Sequence, residues 1–389
     1  MDFNLNKDQL HWQSVARDFA QNRVAQIARE MDETGEMPLS LVSEMAELGL
    51  LGSTLPKSLG GSEMDNLSLA FVYEELGRAC SSVRGFMTVH SSLVMQCINT
   101  WGTDEQKSRY LPAMANGEVI GCYALTEPEA GSDAASIQTA AKKSRLGNYE
   151  LTGEKIWITN GNIARIAIVF AKLDTLSDKK HHEQVTAFIV RLNHPEIKRM
   201  RMPGEELGHR ASDHAKIIFR DTPLSSDLVL GGEGNGFKVA MSALDHGRLG
   251  VAAGALGVHQ SCLDACVSFA NERKQFGKRI GDFEMIQSTL AEMKASLDAS
   301  RLLVYRAAWM KDQGLPTKVE TSIAKYFATE AACKAASEAV LLHGGRGYSN
   351  EYPVERYYRD IKGLQIYEGT SHIQKIVIAR EILREPGLR

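Results

Sequence analysis

A single carboxylate near the C-terminus, Glu368, has the surroundings expected of a general base. It follows the aromatic residue Tyr367 and precedes Gly369, and a helical pattern of apolar residues begins directly after it. A carboxylate beside apolar groups is desolvated, which favours its neutral form and moves its pKa toward the range that a base needs near neutral pH. A structural role is the alternative, because an acidic residue at a helix start complements the helix dipole. Both interpretations stay open on this segment alone.

The helix that follows Glu368 carries its own start signal. Ser371 and Gln374 have capping-box spacing, in which each side chain bonds the backbone N–H of the other residue. Ile373 and residues 376–378 supply the apolar positions of the helix. The sequence therefore predicts a helix start at about Ser371, with the carboxylate in the turn before it.

Two further segments offer groups that could hold a planar polar ligand. Residues 123–133 end a strand-like pattern in a loop of hydroxyls and small residues, which presents backbone N–H groups without side-chain bulk. Trp157 and Thr159 alternate along a predicted strand, which points a flat aromatic group and a hydroxyl to the same side. The structural alternatives are an ordinary turn with an Asx cap at Asp133, and a core tryptophan beside a satisfied threonine.

The glycine clusters are more simply structural. Residues 231–236 lack the Gly-x-x-x-x-Gly-Lys pattern of a phosphate loop and the third glycine of a dinucleotide fingerprint, so we expect an interdomain turn. Gly344 and Gly345 end a helical pattern and allow another group to approach the backbone. The chain has no Gly-x-Ser-x-Gly elbow and no metal-ligand spacing, which argues against a serine hydrolase and a metalloenzyme.

Composition restricts the partners and the compartment. The formal net charge of −3, without a strongly basic run, argues against a nucleic-acid partner. No stretch reaches the roughly 18 apolar residues of a membrane span, and the N-terminus has the pattern of neither a signal peptide nor a transit peptide. The six cysteines lack Cys-x-x-Cys spacing, so free thiols in the cytoplasm are expected.

The spacing of apolar residues divides the chain into three parts. Residues 1–118 show helical spacing, residues 119–232 alternate as strands do, and residues 233–389 return to long helical patterns. We therefore predict an α+β fold that is mostly α: an N-terminal all-α domain, a middle β domain and a C-terminal four-helix bundle. Within the β domain, residues 149–159 are predicted to form two strands about a turn at Gly153.

Taken together, these segments resemble the acyl-CoA dehydrogenase family of flavoproteins. The resemblance covers essentially the whole chain and rests on segments in the family's order and spacing, namely residues 123–133, 157–161, 273–277, 344–345 and 366–370. It implies a three-domain fold with FAD between the β domain and the C-terminal bundle. It also implies a homo-oligomer, usually a homotetramer, with a homodimer as the alternative.

The resemblance implies roles for the matching residues. Glu368 matches the catalytic base, and no metal is implied. The positions that match cofactor contacts are Tyr123, Leu125, Thr126, Gly131, Ser132, Trp157, Ile158 and Thr159, together with Arg273, Gln275, Phe276, Gly344, Gly345, Thr370 and His372, which reach FAD across a subunit interface or at its adenosine end. The positions on the substrate side are Ser132, Asp245, Arg248, Tyr367 and Gly369.

The implied reaction converts an acyl thioester, acyl-CoA, to the 2-enoyl thioester. Hydrogen bonds to the thioester carbonyl, from the backbone at Glu368 and from the flavin ribityl hydroxyl in related enzymes, acidify the α-proton. Glu368 removes that proton while hydride leaves the β-carbon for the flavin N5. Reduced FAD would pass its electrons to an electron-transferring flavoprotein.

Some residues depart from the family pattern. Some relatives place the base in the long helix at the position of Gly247, and glycine there leaves Glu368 without a competitor. Arg84 and His90 are polar for a segment that lines the acyl pocket in relatives, unless both face solvent or a neighbouring helix. With residues 245–248 they resemble family members of natural-product pathways, where a carrier protein holds the thioester. An acyl oxidase on the same scaffold and a non-catalytic FAD-binding protein are further alternatives.

Overall fold

The computed structural model of the protein describes residues 4–384. The N-terminal part is helical and consists of α1 (Lys7–Phe19), α2 (Ala25–Thr34), α3 (Ser40–Glu47), α4 (Asn66–Ala79), α5 (Ser81–Met87), α6 (Gln96–Trp101) and α7 (Asp104–Ala115). π-Helical segments, Ala20–Val24 and Thr88–Met95, join α1 to α2 and α5 to α6. Such segments are rare and often occur at functional sites.

The middle part is a twisted sheet, and the short helix α8 comes between the fourth and fifth strands in the sequence. Its elements are β1 (Gly121–Ala124), β2 (Ala140–Lys143), β3 (Tyr149–Thr159), β4 (Ile166–Leu173), α8 (His181–Gln184), β5 (Val185–Arg191), β6 (Ile197–Arg201), β7 (His214–Leu224) and β8 (Val229–Leu230). The strand order is β6-β7-β3-β2-β4-β5-β8, and β1 pairs in parallel with β4. β4 and β5 are apolar and buried along nearly their whole length, because both faces of the sheet are covered there.

The C-terminal part is a helical bundle with a small hairpin. Its elements are α9 (Gly236–Glu272), β9 (Lys274–Gln275), β10 (Lys278–Arg279), α10 (Glu284–Asp312), α11 (Lys318–His343), α12 (Val354–Ile366) and α13 (Ser371–Arg384). The bundle is centred on α11, which packs against α9, α10, α12 and α13. Residues 231–236 form the predicted turn before α9, with positive φ at three of their glycines.

The predicted α+β fold is confirmed, and the bundle contains one helix more than predicted. This helix is α12, whose C-terminal end carries Tyr367 and Glu368. Its buried face includes Arg356 and Asp360 among apolar residues. These two charges interrupt the apolar stripe by which a helix is recognised from sequence.

The prediction of two strands about Gly153 is wrong, because β3 is one continuous strand. Its register against β7 shifts next to Gly153, which has a φ of +153°. A Cβ at this position would lie 2.5 Å from the Thr139 Oγ1. The glycine therefore permits a β-bulge against a neighbouring chain segment and does not turn the strand back.

Helices α4 and α9 pack with their backbones nearly in contact. A Cβ at Gly77 would lie 2.5 Å from the carbonyl oxygen and 2.8 Å from the Cα of Gly254. Gly257, one turn further along α9, is equally close to the backbone of α4. Because the distance between packed helices depends on the side chains at their contact, these glycines fix how near α9 lies to the N-terminal helices.

Gly77→Ala should lower the free energy of unfolding by about 1–3 kcal/mol, because the added methyl group overlaps with backbone. Gly85→Ala in α5 is the matched control, since a Cβ there meets no atom within 4 Å. This control should raise stability by up to about 1 kcal/mol through helix propensity. Chemical denaturation of both variants measures the difference, and equal stabilities would show that the α4–α9 contact is not a packing constraint.

No helix within residues 4–384 is both long and apolar enough to cross a membrane. All six cysteines are free thiols, and five of them are buried. Burial raises the pKa of Cys97 and of Cys122, so these thiols stay protonated near neutral pH.

Candidate active site

A cavity of about 380 Å³ lies where the sheet, the N-terminal helices and the C-terminal bundle meet. The residues predicted from sequence that line it are Tyr123, Leu125, Thr126, Gly131, Ser132, Trp157, Ile158, Thr159, Arg248, Tyr367, Glu368 and Gly369. Segments that are far apart in the sequence therefore share one site.

The other predicted site residues do not line this cavity. They are Arg273, Gln275 and Phe276 on the β9–β10 hairpin, Gly344 and Gly345 after α11, Thr370 and His372 at the start of α13, and Asp245 on α9. Asp245 still touches the site, because Arg248 Nη1 donates a 2.8 Å hydrogen bond to its Oδ1. The Phe276 side chain is 93% exposed. A single chain thus leaves these residues outside the cavity.

The turn that carries Glu368 is held in a strained conformation. Glu368 has a φ of +56° and Gly369 one of +92°, and the left-handed region is unfavourable for a residue with a side chain. Lys325 Nζ of α11 donates to the Gly369 carbonyl at 2.7 Å. Gln374 Nε2 of α13 donates to the carbonyls of Glu368 (3.2 Å) and Gly369 (2.9 Å). Both donor residues are buried, so the turn is fixed from two helices.

The predicted capping box between Ser371 and Gln374 is wrong, although α13 does begin at Ser371. Thr370 is the N-cap, since its Oγ1 accepts a hydrogen bond from the Ile373 N–H at 3.3 Å. The Ser371 hydroxyl donates instead to Glu330 Oε1 at 2.6 Å. The Gln374 amide turns toward the two carbonyls of the preceding turn, because buried carbonyl groups require donors.

The Glu368 carboxylate lies against the backbone of α9. A Cβ at Gly247 would lie 2.0 Å from Glu368 Oε2, so a side chain there would displace the carboxylate from its present position. Oε2 is buried and has no hydrogen-bond partner within the described residues. Burial raises the pKa of Glu368 to about 7, and the charges of Arg84, Lys325 and Arg248 oppose this shift. A carboxylate with a free oxygen and a near-neutral pKa, facing a cavity, is equipped to accept a proton.

A buried ion pair supports the loop on the other side of the cavity. Lys155 Nζ lies 2.7 Å from Glu127 Oε1 and also donates to the Leu125 carbonyl at 3.0 Å. Glu127 further accepts hydrogen bonds from the backbone N–H groups of Gln138 and Thr139. Sequence reasoning missed this pair. The available signal was a lysine on the buried face of β3, where a charge requires a partner.

Arg84 and His90, which the sequence left open, have different surroundings. Arg84 lines the cavity, and its guanidinium donates to the Tyr367 hydroxyl and, at 3.2 Å, to Thr88 Oγ1. His90 is a core residue, with Nε2 at 3.0 Å from the Met114 carbonyl and Nδ1 accepting from a backbone N–H at 3.2 Å. Both side chains are buried, so neither faces solvent.

His209 lines the cavity and was not predicted. Its backbone N–H donates to Asp360 Oδ1 at 2.7 Å, and its Nε2 lies 2.9 Å from the Asp360 carbonyl. Burial lowers the pKa of His209 to about 3, so the ring is neutral at physiological pH. Its edge meets the Tyr367 ring at a centroid distance of 5.6 Å, which fixes the tyrosine beside Glu368.

The wall opposite α9 suits a planar ligand with polar edges. Trp157 sits at a second bulge of β3 with a φ of +57°, and 50% of its surface is exposed. Thr126 and Thr159 place hydroxyls at the same wall, and no atom lies within 4 Å of a Cβ at Gly131. Residues 4–384 contain no cluster of three or more histidine, cysteine or acidic residues suited to a metal ion. The exposed indole of Trp157 and the hydroxyls of Thr126 and Thr159 fit an organic cofactor with a flat ring system.

A buried carboxylate thus faces a flat-walled cleft between a sheet and a helical bundle, an arrangement suited to taking a proton from a bound substrate. The chain belongs to the acyl-CoA dehydrogenase family. Profiles of that family match residues 6–118 (N-terminal domain), 122–222 (middle domain) and 234–383 (C-terminal domain). The family expected from the sequence is thereby confirmed.

Similar proteins match the chain over its whole length. A probable acyl-CoA dehydrogenase of Bacillus subtilis, YngJ, is 41% identical over 99% of this chain and 100% of its own. The structure of butyryl-CoA dehydrogenase from Megasphaera elsdenii has a TM-score of 0.95 at 39% identity, with 99% of this chain and 100% of that chain covered. A glutaryl-coenzyme A dehydrogenase in complex with glutaryl-CoA has a TM-score of 0.94 at 35% identity, with 99% and 97% covered. The expected activity, α,β-dehydrogenation of an acyl thioester, is confirmed.

Lys155→Met should destabilise the protein by about 3–5 kcal/mol, because Glu127 would keep a buried charge without its partner. The double variant Lys155→Met/Glu127→Leu should recover part of this loss. Lys216→Met is the matched control, since its 2.5 Å ion pair with Glu154 is partly exposed and is worth about 1 kcal/mol or less. Urea denaturation measures all three, and similar losses in the two single variants would contradict a special role for the buried pair.

Proposed function

We propose that this chain is an FAD-dependent acyl-CoA dehydrogenase in which Glu368 is the catalytic base. The unpaired Oε2 of Glu368, buried in the cavity beside Gly247, carries this proposal. An ionised carboxylate in such a place is stable only when a proton or a donor comes close to it, and a bound substrate brings an α-proton there. The near-neutral pKa lets the base be ionised before the reaction and hold the proton after it.

FAD would be held at the wall formed by Thr126, Ser132, Trp157 and Thr159. The hydroxyls and backbone of the loop after β1 would bind its polar groups, and the half-exposed Trp157 would contact its flat ring system. FAD supplies the acceptor for the hydride that leaves the β-carbon of the substrate. The Lys155–Glu127 ion pair keeps this loop in place from behind.

The chain's own residues orient the thioester and move the proton. The backbone N–H of Glu368 is proposed to donate to the thioester carbonyl, which stabilises the negative charge that develops on that oxygen. Lys325 and Gln374 hold the strained turn so that the same residue presents both this N–H and its carboxylate. Arg248, which has a buried Nε without a partner, is proposed to contact the substrate side together with Asp245.

The predicted residues outside the cavity are proposed to complete the FAD site of a second subunit. They are Arg273, Gln275, Phe276, Gly344, Gly345, Thr370 and His372. Large apolar side chains are exposed on α10 and the end of α11, among them Met285, Trp309 and Leu341. Exposed apolar patches mark interaction surfaces. We therefore propose a homo-oligomer, a homotetramer in the first place and a homodimer as the alternative.

Reduced enzyme is proposed to pass its electrons to an electron-transferring flavoprotein in the cytoplasm. A carrier-protein thioester in place of acyl-CoA and an oxidase that reduces oxygen remain the alternatives to this assignment. Flavin reduction by carrier-bound thioesters, compared with reduction by acyl-CoA, distinguishes the first alternative from the proposed substrate. Release of hydrogen peroxide in air at the rate of turnover would identify the second.

Glu368→Gln should abolish bleaching of the flavin by acyl-CoA under anaerobic conditions while FAD stays bound, because the amide cannot accept the α-proton. Absorbance of the purified holoprotein after substrate addition measures both properties. Ser371→Ala is the control at the same turn, since its hydroxyl bonds Glu330 on the outer side, and it should bleach normally. Bleaching of the Glu368→Gln variant at the wild-type rate would remove Glu368 from the mechanism.

The rate of flavin reduction at low substrate should fall about tenfold per pH unit below pH 7. Burial raises the pKa of Glu368 to about 7, and only the ionised form accepts a proton, so activity is lost as pH falls through that value. Stopped-flow reduction between pH 5 and 9 with excess enzyme-bound FAD measures the profile. A plateau that extends to pH 5 would show a base with an unshifted carboxyl pKa.

A further inference from the structure

Arg84 is a buried cation in the cavity without an anionic partner. Its side chain is 1% exposed, and within residues 4–384 it makes no ion pair. Its hydrogen bonds go to two neutral hydroxyls, those of Tyr367 and Thr88, and its Nε is buried with no partner. Burial of an unpaired charge is unfavourable by several kcal/mol. A cation kept in this state therefore indicates an anion that binds beside it.

The glycines of α9 give the position of Arg84 relative to the base. Gly247 makes room for the Glu368 carboxylate, and Gly254 makes room for Arg84, whose Nε and Cδ would lie 2.7 and 2.8 Å from a Cβ there. Seven residues of helix separate the two glycines, which corresponds to about 10 Å along the axis. Both side chains line the same cavity. An acyl chain that places its α-carbon at Glu368 and extends along α9 thus meets Arg84 after only a few carbons.

The groups around Arg84 are hydroxyls. Thr88 and Tyr367 bond it, and the Tyr73 ring, whose hydroxyl lies 2.7 Å from that of Ser92, packs beside Thr88 at Gly250 of α9. An acyl group that ends in a hydrocarbon would leave the Arg84 Nε without water and without a hydrogen-bond partner, which is unfavourable. A carboxylate would accept hydrogen bonds from the guanidinium in the geometry that arginine favours.

We propose that Arg84 binds a carboxylate at the far end of the acyl group, so that the preferred substrates are short dicarboxylic monothioesters. The proposal rests on the proposed function, because it concerns the acyl end of the same cavity. The names of the two similar solved proteins, butyryl-CoA and glutaryl-CoA dehydrogenase, leave the terminus open between a methyl and a carboxyl group. The surroundings of Arg84 in this chain favour the carboxyl group.

Arg84 could instead serve only as a counter-charge for Glu368. Its charge opposes the rise of the Glu368 pKa that burial causes. In that case removal of Arg84 changes the reaction of every acyl thioester to the same extent. As a recognition residue, Arg84 changes the ratio between acidic and neutral substrates. The ratio therefore separates the two roles.

The test compares anaerobic flavin reduction by glutaryl-CoA with reduction by its neutral amide isostere, in which the terminal carboxylate is a carboxamide. Wild-type holoenzyme should prefer the acid by about 100-fold or more in kcat/KM, because the amide leaves the guanidinium without its anion. Arg84→Met should lower this preference at least about tenfold while the amide still bleaches the flavin. Arg109→Met, which removes a half-exposed arginine paired with Asp227 at 3.6 Å, is the charge-matched control and should keep the preference.

Equal rates for acid and amide in the wild type would overturn the proposal, as would an unchanged ratio in Arg84→Met. Equal losses of kcat/KM with both substrates would show that Arg84 acts only as a counter-charge for Glu368. If Arg84→Met does not fold, equilibrium binding of the two thioesters to the Glu368→Gln holoenzyme, followed by the flavin spectrum, gives the same ratio without turnover. If no thioester bleaches the wild type, the proposed function fails, and this binding ratio still decides whether Arg84 selects a carboxylate.

Discussion

The structure depends on the contact of a carboxylate with bare helix backbone. The Glu368 Oε2 is buried and unpaired within residues 4–384, and Gly247 leaves space for it because this residue has no side chain. The backbone of Glu368 is left-handed at this position. Lys325 and Gln374 stabilise that conformation through the two carbonyls of the turn. The strained turn, the buried carboxylate of Glu368 and the glycine on α9 are therefore parts of one arrangement.

The glycines on one face of α9 affect both the packing of this helix against α4 and the space in the cavity. Gly247, Gly250, Gly254 and Gly257 follow one another at helical spacing. Toward the C-terminal end of α9, the glycines allow the backbone of α4 to come close. Toward the cavity, they make room for the side chains of Glu368 and Arg84. Helix α9 is therefore both the core of the interdomain packing and the floor of the site. A change in its packing against α4 would shift the cavity as well.

The sequence predicted the features that are visible as a periodic spacing of apolar residues or as a motif. The three parts of the fold, the place of Glu368 at the cavity and the cavity residues from Tyr123 to Thr159 fall into this group. It did not predict α12, because Arg356 and Asp360 lie on its buried face, or the bulge at Gly153, because a glycine in a strand resembles a turn. The Lys155–Glu127 pair and the His209–Asp360 contact join residues far apart in the chain. Such pairs become visible only once the fold brings them together.

The overlap at Gly247 has a consequence for substitutions on α9. A side chain at this position of α9 would occupy the space that the Glu368 carboxylate has now. A second acid at this position would therefore require the end of the Glu368 side chain to move, because it is this end that a Cβ at Gly247 meets. The direction of the carboxylate is thus determined by the residue opposite it on α9 as well as by its own turn.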